Sequence, residues 1–179
     1  PILPAGYLSM KIVIQPVRMA DIDALATLAR EIWQQAYAGI ITQAQIDYML
    51  AQRYSPERLA SELGSSDVWW DQAFVGDQRV GFSSCLLSGA PGELKLDKLY
   101  VHPARQREGI GAALIDCVLA HGRENGCHTL ILAVNKQNAN AIAAYRKNGF
   151  SVRESVRVDI GGGFVMDDFI MARSIPAAA

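Results

Sequence analysis

The sequence predicts a single α/β (α+β) domain in which helices flank a mixed sheet of seven strands. Three observations predict this class: a length of 179 residues with 50% hydrophobic residues, the βαααβββαβαββ order of the periodic segments, and one helix placed to link two parallel strands. A chain of this length forms one domain with a substantial core, since two complete domains would each be small.

Seven apolar or alternating segments predict the strands, and apolar stripes at helical spacing predict five helices. The expected strands are 12–17, 68–75, 79–87, 93–101, 128–134, 151–158 and 164–173. Asp21, Thr42 and Ser55 are expected to cap the first three helices. Two further helices are expected at 109–125 and 138–148, and the first of these would form a right-handed crossover between the central strands.

Charge and terminal composition limit the partners and the location of the chain. The formal net charge of −1 gives no bulk attraction to nucleic acid or anionic membranes, so neither is expected as a partner. No apolar run approaches the roughly 20 residues that span a bilayer. Residues 1–9 lack the features of a secretory signal. They are expected to be a leader or an expression remnant, followed by the domain at 10–174 and a tail at 175–179.

The cysteines give a second indication of location. Cys85, Cys117 and Cys127 are odd in number and lack the spacing typical of metal sites. This usage is typical of reduced, mostly buried thiols in a cytoplasmic protein. We therefore expect a cytoplasmic location and no bound metal.

A basic, glycine-containing loop follows the strand that ends at Val101. It contains Gln106, Gly109 and Gly111, and an amphipathic helix begins directly after it. Backbone N–H groups and the positive end of the helix dipole would converge there, which favours phosphate binding. A lone Gly-x-Gly is weak evidence, however, and an ordinary strand-to-helix turn is the alternative. The third glycine of a dinucleotide fingerprint and the Gly-Lys-Ser/Thr of a Walker loop are both absent.

A second segment, 135–150, also leaves a strand and enters a helix. Asn135 and Asn138 carry amide groups at a point where two neighbouring strands could diverge, and the Tyr145 hydroxyl could reach back toward the same gap. Capping and turn chemistry is the alternative role for the asparagines, and a core position is the alternative for the tyrosine. Gly149 and Phe150 have the pattern of a Schellman cap.

Together the two segments resemble the GCN5-related N-acetyltransferase (GNAT) superfamily. The resemblance is carried by Gln106-x-x-Gly109-x-Gly111 after Leu99-Tyr100-Val101-x-Pro103, and then by Asn135, Asn138, Ala141, Tyr145 and Gly149-Phe150. It implies a mostly antiparallel seven-stranded sheet with a splayed central pair of parallel strands. It also implies that acetyl-CoA binds as cosubstrate between those two strands.

The resemblance further implies which residues hold acetyl-CoA. The backbone of β-strand residues 99–101 would pair with the pantetheine arm, and the loop would receive the pyrophosphate. The implied set is Leu99, Tyr100, Val101, Gln106, Arg107, Glu108, Gly109, Ile110, Gly111, Ala112, Asn135, Asn138, Tyr145 and Lys147. Arg105 and Arg107 would add charge for the phosphates. Both arginines and Lys147 are otherwise ordinary solvated side chains.

The implied chemistry is direct attack of an amine on the thioester, with no covalent enzyme intermediate. Tyr145 matches the family's general acid, and the Val101 N–H matches its usual oxyanion donor. Asp97 and Glu93 are the candidate bases, because period-two geometry puts them on the side of Leu99 and Val101 unless a bulge switches the alternation. A surface carboxylate paired with a lysine is the alternative for either.

The residues that would bind the acceptor amine are predicted in less detail than those that would bind acetyl-CoA. Trp33 and Tyr37 share a helix face and would line the acceptor wall, with the core as their alternative location. Asp159, Asp167 and Asp168 would attract a cationic amine, unless they are solvated turn residues. The segments Tyr54-Ser55-Pro56-Glu57-Arg58-Leu59, Leu94 to Val101, and Asp167-Asp168-Phe169-Ile170-Met171 are similar to the branch of PaiA-type polyamine acetyltransferases.

The expected function is therefore transfer of an acetyl group from acetyl-CoA to the primary amine of a small molecule, with a polyamine-like amine as one candidate. The protein is expected to be cytoplasmic, with a homodimer as one option for its assembly. Two other functions remain open from the sequence. One is a CoA-binding sensor or interaction module without turnover. The other is acetylation of a protein or peptide amine, which would need an open groove instead of a closed pocket.

Overall fold

A seven-stranded sheet with the order β1-β2-β3-β4-β5-β7-β6 forms the centre of the computed structural model, which describes residues 11–178. The β4–β5 pair is parallel and the other neighbouring pairs are antiparallel. The strands are β1 Ile12–Pro16, β2 Val68–Val75, β3 Gln78–Leu87, β4 Glu93–Val101, β5 Thr129–Asn135, β6 Ser151–Gly161 and β7 Phe164–Ser174. The expected mixed sheet is confirmed. The prediction for residues 1–9 lies outside the described residues.

Five α-helices flank the sheet: α1 Ile22–Ala36, α2 Gln43–Arg53, α3 Pro56–Leu63, α4 Ile110–Glu124 and α5 Ala139–Lys147. Single 3-10 turns at Met19–Asp21 and Pro103–Arg105 precede α1 and α4. Within residues 11–178, none of the helices is long and apolar enough to cross a membrane.

Side-chain caps begin two of the first three helices as the sequence predicts. Thr42 Oγ1 accepts a hydrogen bond from Gln45 N at 3.1 Å, and Ser55 Oγ accepts one from Arg58 N at 3.2 Å. Each cap satisfies a backbone N–H that has no partner inside its helix. The boundaries of α2 and α3 therefore follow from local sequence.

The predicted cap of α1 by Asp21 is wrong. The Asp21 carboxylate accepts hydrogen bonds from Arg18 N at 2.8 Å and from Gln72 Nε2 at 2.9 Å, and it pairs with Arg79 at 2.9 Å. Arg18 precedes α1 in the chain, Gln72 lies on β2 and Arg79 lies on β3. These partners hold the carboxylate away from the first turn of α1. Contacts between distant segments thus override a local capping preference.

The Schellman cap predicted at the end of α5 is confirmed. Gly149 has φ +84°, its N–H donates to Arg146 O at 3.1 Å, and Phe150 N donates to Tyr145 O at 3.1 Å. Glycine adopts this left-handed conformation without steric cost. The cap fixes the end of α5 beside Tyr145.

Each face of the sheet is covered by helices. On one face, α1, α2 and α3 pack with Trp70 and Phe82, and on the other face α4 and α5 pack with Leu96 and Leu132. Burial of these apolar faces is the main contribution to the stability of the fold. Ile175, predicted to begin the tail, is buried in the second of these layers.

Candidate active site

The two parallel strands at the centre of the sheet separate halfway along their length. Their pairing runs from Glu93 opposite Thr129 to Leu96 opposite Leu132, and among the described residues it stops there. Beyond that point β4 continues along β3 as far as Val101, and β5 continues along β7 as far as Asn135. The predicted V-shaped opening is thus present at the carboxyl ends of β4 and β5.

Backbone groups of β4 face this opening. His102 N donates to Val80 O of β3 at 2.8 Å. Successive residues of an extended chain present their N–H groups to opposite sides, so the N–H of Val101 points away from β3 and toward the opening. An extended ligand lying in the opening could therefore add to β4 as a further strand.

The loop after β4 has the geometry of an anion site. Arg107 (φ +66°) and Gly109 (φ +83°) both adopt left-handed conformations. Helix α4 begins directly after them, and Ala113 N donates to Gly109 O at 3.0 Å as the first regular helical bond. The N–H groups of the first turn, from Ile110 to Ala112, point out of the helix end, where they and the helix dipole favour phosphate.

The two glycines of the loop leave room for a ligand. A Cβ atom added to Gly111 would lie 3.9 Å from Val101 Cγ2, and one added to Gly109 would meet no atom of the described residues outside the adjacent chain within 4 Å. Packing inside the protein therefore does not require glycine at position 111. Close approach of a phosphate to the backbone would require it, so this segment fits the pyrophosphate of acetyl-CoA.

The charged residues of this region lie at its rim. Arg105 Nε lies 3.4 Å from Glu108 Oε2, which orients both side chains along the loop. Gln106 is exposed, and its Nε2 group donates to Val101 O at 3.5 Å. Arg107 and Lys147 are exposed.

The two asparagines stabilise the turn between β5 and α5. Asn135 Oδ1 accepts a hydrogen bond from Gln137 N at 2.9 Å, and Asn138 Oδ1 accepts one from Ala141 N at 3.2 Å. Both oxygens therefore have the capping role that the sequence left open. The ligand contacts predicted for these residues stay predictions, and the amide nitrogens remain available for them.

Tyr145 lies in the second turn of α5, partly buried against the core cluster that includes Val134 of β5. Its ring packs edge-on against Phe150 with centroids 5.6 Å apart. Burial raises the pKa of its phenol well above the ordinary value of 10.0. The hydroxyl is therefore protonated throughout the neutral pH range and is available as a proton donor.

A β-bulge in β4 changes which side chains face the acceptor side. Lys98 pairs with Ser84 and Leu96 pairs with Cys85, so Asp97 is an extra residue on β4. Leu99 packs on the α4 side, whereas Asp97 contacts Arg53 of α2 on the opposite face. The prediction that Asp97 shares a side with Leu99 and Val101 is wrong, because this bulge switches the alternation.

Asp97 is held between two cations. Its carboxylate lies 2.6 Å from Lys98 Nζ and 2.9 Å from Arg53 Nη2. Burial alone would raise its pKa, but the charges of Lys98 and Arg53 hold the pKa of this carboxyl well below its usual range. Asp97 is therefore ionised, and its oxygens are occupied by strong donors.

Glu93 lies at the other end of β4, where β4 and β5 are still paired. It contacts Arg153 Nη1 at 2.8 Å and Ser88 Oγ at 3.1 Å. The hydrogen bond from Arg153 lowers the pKa of Glu93. The structure therefore does not bring Glu93 together with Tyr145 and the loop.

Comparisons with known proteins agree with this geometry. Residues 26–150, more than half of the chain, match the family described as acetyltransferase (GNAT) family. The chain belongs to the GNAT family. It is therefore an acetyl-CoA-dependent N-acetyltransferase, and the parted strands with their glycine loop are its expected acetyl-CoA site.

Individual GNAT proteins are similar along nearly the whole chain. Spermidine N(1)-acetyltransferase of Thermoplasma acidophilum is 29% identical over 162 residues, which cover 88% of this chain and 97% of that protein. The structure of PaiA N-acetyltransferase from the same organism, in complex with coenzyme A, has a TM-score of 0.79 at 29% identity and covers 92% of this chain and 99% of that one. The Escherichia coli ribosomal-protein-S18-alanine N-acetyltransferase has a TM-score of 0.66 at 25% identity, covering 94% and 97%.

The acceptor side of this GNAT domain contains an aromatic cluster. The Trp33 and Tyr37 rings lie 4.4 Å apart, and the Tyr37 and Tyr100 hydroxyls share a hydrogen bond of 3.1 Å. Trp33 is 1% exposed and donates to Tyr54 Oη at 3.2 Å. Trp33 and Tyr37 therefore both lie in the buried core cluster, where the Tyr37 hydroxyl contacts that of Tyr100 of β4.

A cleft of about 400 Å³ lies between the α1–α2 connection and the ends of β5 and β7. Its walls are Gly39, Ile40, Ile41, Thr42, Gln45, Asn135, Gln137, Val165 and Asp167. Gln45 Nε2 donates to Val165 O at 3.3 Å, and Tyr48 Oη donates to Ile160 O at 3.1 Å. These bonds connect α2 to the β6–β7 hairpin on one side of the cleft.

One carboxylate next to this cleft is buried, which the sequence did not indicate. Asp168 pairs opposite Asn135 at the open end of β5, and it is 7% exposed. The sequence placed it among three acidic residues that could attract an amine or be solvated. Its burial depends on strands and helices distant in the chain, so no local signal could have distinguished it from Asp167.

Proposed function

We propose that this GNAT enzyme transfers the acetyl group of acetyl-CoA to the primary amine of a small molecule, with alkyl polyamines as the first class to test. The observation that carries the proposal is the small cleft beside the parted strands, bounded by α2 and the β6–β7 hairpin. The hydrogen bonds from Gln45 and Tyr48 connect these two elements. A small amine fits such a cleft better than a folded protein surface does.

The proposed roles follow from the placement of each group. The N–H groups from Ile110 to Ala112 would bind the pyrophosphate, and the N–H of Val101 would stabilise negative charge on the acetyl oxygen. Tyr145 would give a proton to the departing sulfur, a role that suits a phenol kept protonated by burial.

The sequence predicts Asp97 or Glu93 as the general base, and this role stays a prediction for both residues. The ion pairs of Asp97 with Lys98 and Arg53 make its carboxylate a weak proton acceptor. Glu93 lies where β4 and β5 are paired, at a distance from the open ends of these strands. Homodimer formation and a cytoplasmic location also stay predictions.

The similar proteins support an amine acceptor of either of two kinds. The spermidine acetyltransferase name favours a polyamine, and the ribosomal-protein-alanine acetyltransferase name favours a peptide N-terminus. The hydrogen bonds that join α2 to the β6–β7 hairpin on one side of the cleft favour the polyamine.

The test is release of free CoA thiol across a panel of acceptors. The panel contains spermidine, alkyl diamines, alkyl monoamines and a short peptide with an N-terminal alanine. We expect the highest kcat/KM for a small alkylamine. A higher kcat/KM for the peptide would contradict the small-molecule assignment. Tight CoA binding without turnover on any acceptor would favour a sensor.

A further inference from the structure

Asp168 is a buried carboxylate with an unsatisfied oxygen. The residue is 7% exposed, and its Oδ1 atom, itself inaccessible to solvent, has no hydrogen-bond partner among the described residues. Removing a carboxylate oxygen from water without a replacement bond is costly. Such a group in a native protein needs an explanation, and a ligand that completes the missing hydrogen bond is one.

The position of Asp168 places it on the acceptor side of the sheet. Alternation along β7 puts Asp168 on the same face as Met166, whose Sδ lies 3.6 Å from Gln45 Nε2 of α2. Its strand partner is Asn135, the last residue of β5 and part of the cleft wall. Asp168 therefore lies next to a residue of the cleft wall, at the end of β5 that borders the opening.

Several charged or titratable groups surround Asp168. They are Tyr37 of α1, Arg53 of α2, Lys95 of β4, Lys136 after β5 and Asp167 of β7. The nearby cations already have carboxylate partners: Arg53 and Lys95 contact Asp97, and Lys136 contacts Asp167. Burial, with the repulsion of Asp167, raises the pKa of Asp168 above 3.8, which makes it a better proton acceptor than Asp97.

We propose that Asp168 binds the protonated acceptor amine through its unsatisfied oxygen and then takes a proton from it. This assignment rests on the proposed function, since it names the catalytic base and the charge class of the acceptor, an alkylammonium. Because Oδ1 is inaccessible to solvent in this structure, the carboxyl group must turn toward the cleft before an ammonium N–H can supply the hydrogen bond that Oδ1 lacks. A neutral acceptor would leave that oxygen unsatisfied.

The proton and electron balance of the step is complete. Asp168 takes one proton from the ammonium, and the freed nitrogen lone pair forms the N–C bond to the acetyl carbon. The C–S bond breaks, and the sulfur takes the proton of the Tyr145 hydroxyl. The nitrogen loses its second proton as the amide forms, which restores Tyr145, and Asp168 releases its proton to solvent.

The first test compares Asp168→Asn with the wild type on two acceptor classes near pH 7.5. For an alkylamine, which is protonated at this pH, we expect kcat/KM to fall at least about 100-fold, as for loss of a general base. For an arylamine, which is neutral at this pH, we expect a change below about threefold. Asp116→Asn removes an exposed carboxylate of α4 and serves as the matched control.

The second test separates catalysis from a structural role. A carboxyl whose pKa is raised by folding destabilises the protein above that pKa, and this cost disappears as the pH falls. Asp168→Asn should therefore raise Tm at pH 7.5, and the difference from wild type should shrink as the pH falls through the raised pKa of Asp168. The acid limb that Asp168 gives to the wild-type pH profile of kcat/KM should be absent from the variant.

Each remaining outcome overturns the assignment in a distinguishable way. Equal losses for alkylamine and arylamine, or a lower Tm in Asp168→Asn at pH 7.5, would give Asp168 a structural role. An unchanged kcat/KM with an unchanged pH profile would exclude it as base while leaving the acetyltransferase function intact. Wild-type protein that releases no CoA with any amine would overturn both proposals together.

Discussion

Burial disfavours the charged form of both Tyr145 and Asp97, yet Tyr145 is protonated and Asp97 is ionised. Tyr145 therefore keeps its proton, whereas Lys98 and Arg53 overcome the effect of burial at Asp97 and keep it ionised. The partners of each residue, more than its type, decide which group can donate a proton and which one stabilises the fold.

Replacing Tyr145 by phenylalanine removes the proposed proton donor with little change in packing. We expect kcat to fall about 100-fold or more, the range for loss of a general acid. The dissociation constant for CoA, measured by calorimetry, should change less than about threefold. Arg146→Gln changes an exposed neighbouring position of α5 and is the control. A kcat equal to that of the wild type would exclude Tyr145 as the acid.

Replacing Asp97 by asparagine should mainly affect stability. Lys98, which is 2% exposed, loses the closest of its carboxylate partners. We expect the free energy of unfolding to fall by about 3 kcal/mol, the range for breaking a buried ion pair. Because folding lowers the pKa of Asp97 below 3.8, its stabilisation is fully present well above that pH and is lost progressively as the pH falls from there through the lowered folded-state pKa. Denaturant titrations at pH 7 and at pH 2.5 measure the difference in the free energy of unfolding between variant and wild type, and an equal difference at both would contradict this account.

At the scale of elements, the helices were easier to predict than the sites between strands. The starts of α2 and α3 and the end of α5 follow from capping residues within a few positions of each boundary. The bulge at Asp97 and the displaced carboxylate of Asp21 depend instead on β2, β3 and α2, which are remote in the sequence. Local patterns contain no information about such contacts.

The first turn of α4 gives a direct test of the phosphate loop. A methyl group at position 111 would lie in ordinary contact with Val101 Cγ2, so Gly111→Ala should leave Tm unchanged or slightly higher, since alanine favours helix. The same methyl group would occupy the space proposed for the pyrophosphate. We expect CoA affinity to fall about 10-fold or more by calorimetry. Gly64→Ala, at the end of α3, is the control, and equal CoA affinity in Gly111→Ala would refute the assignment.

At the scale of the whole molecule, the sheet brings together residues that no local pattern connects. The loop after β4 and the turn after β5 were predicted together because both lie in segments with family motifs. The cleft was not predicted in detail because it combines the α1–α2 connection with β7, more than 100 residues later in the chain. The identity of the acceptor depends on this part of the molecule.

The central claim is that acetyl-CoA lies between β4 and β5 and is held by their main chain. Amide hydrogen exchange with and without saturating CoA tests it most directly. We predict slower exchange at residues 99–101 and 106–112, with no change along the outer strand β6. Unchanged exchange in both of those segments while calorimetry shows CoA bound would contradict the account.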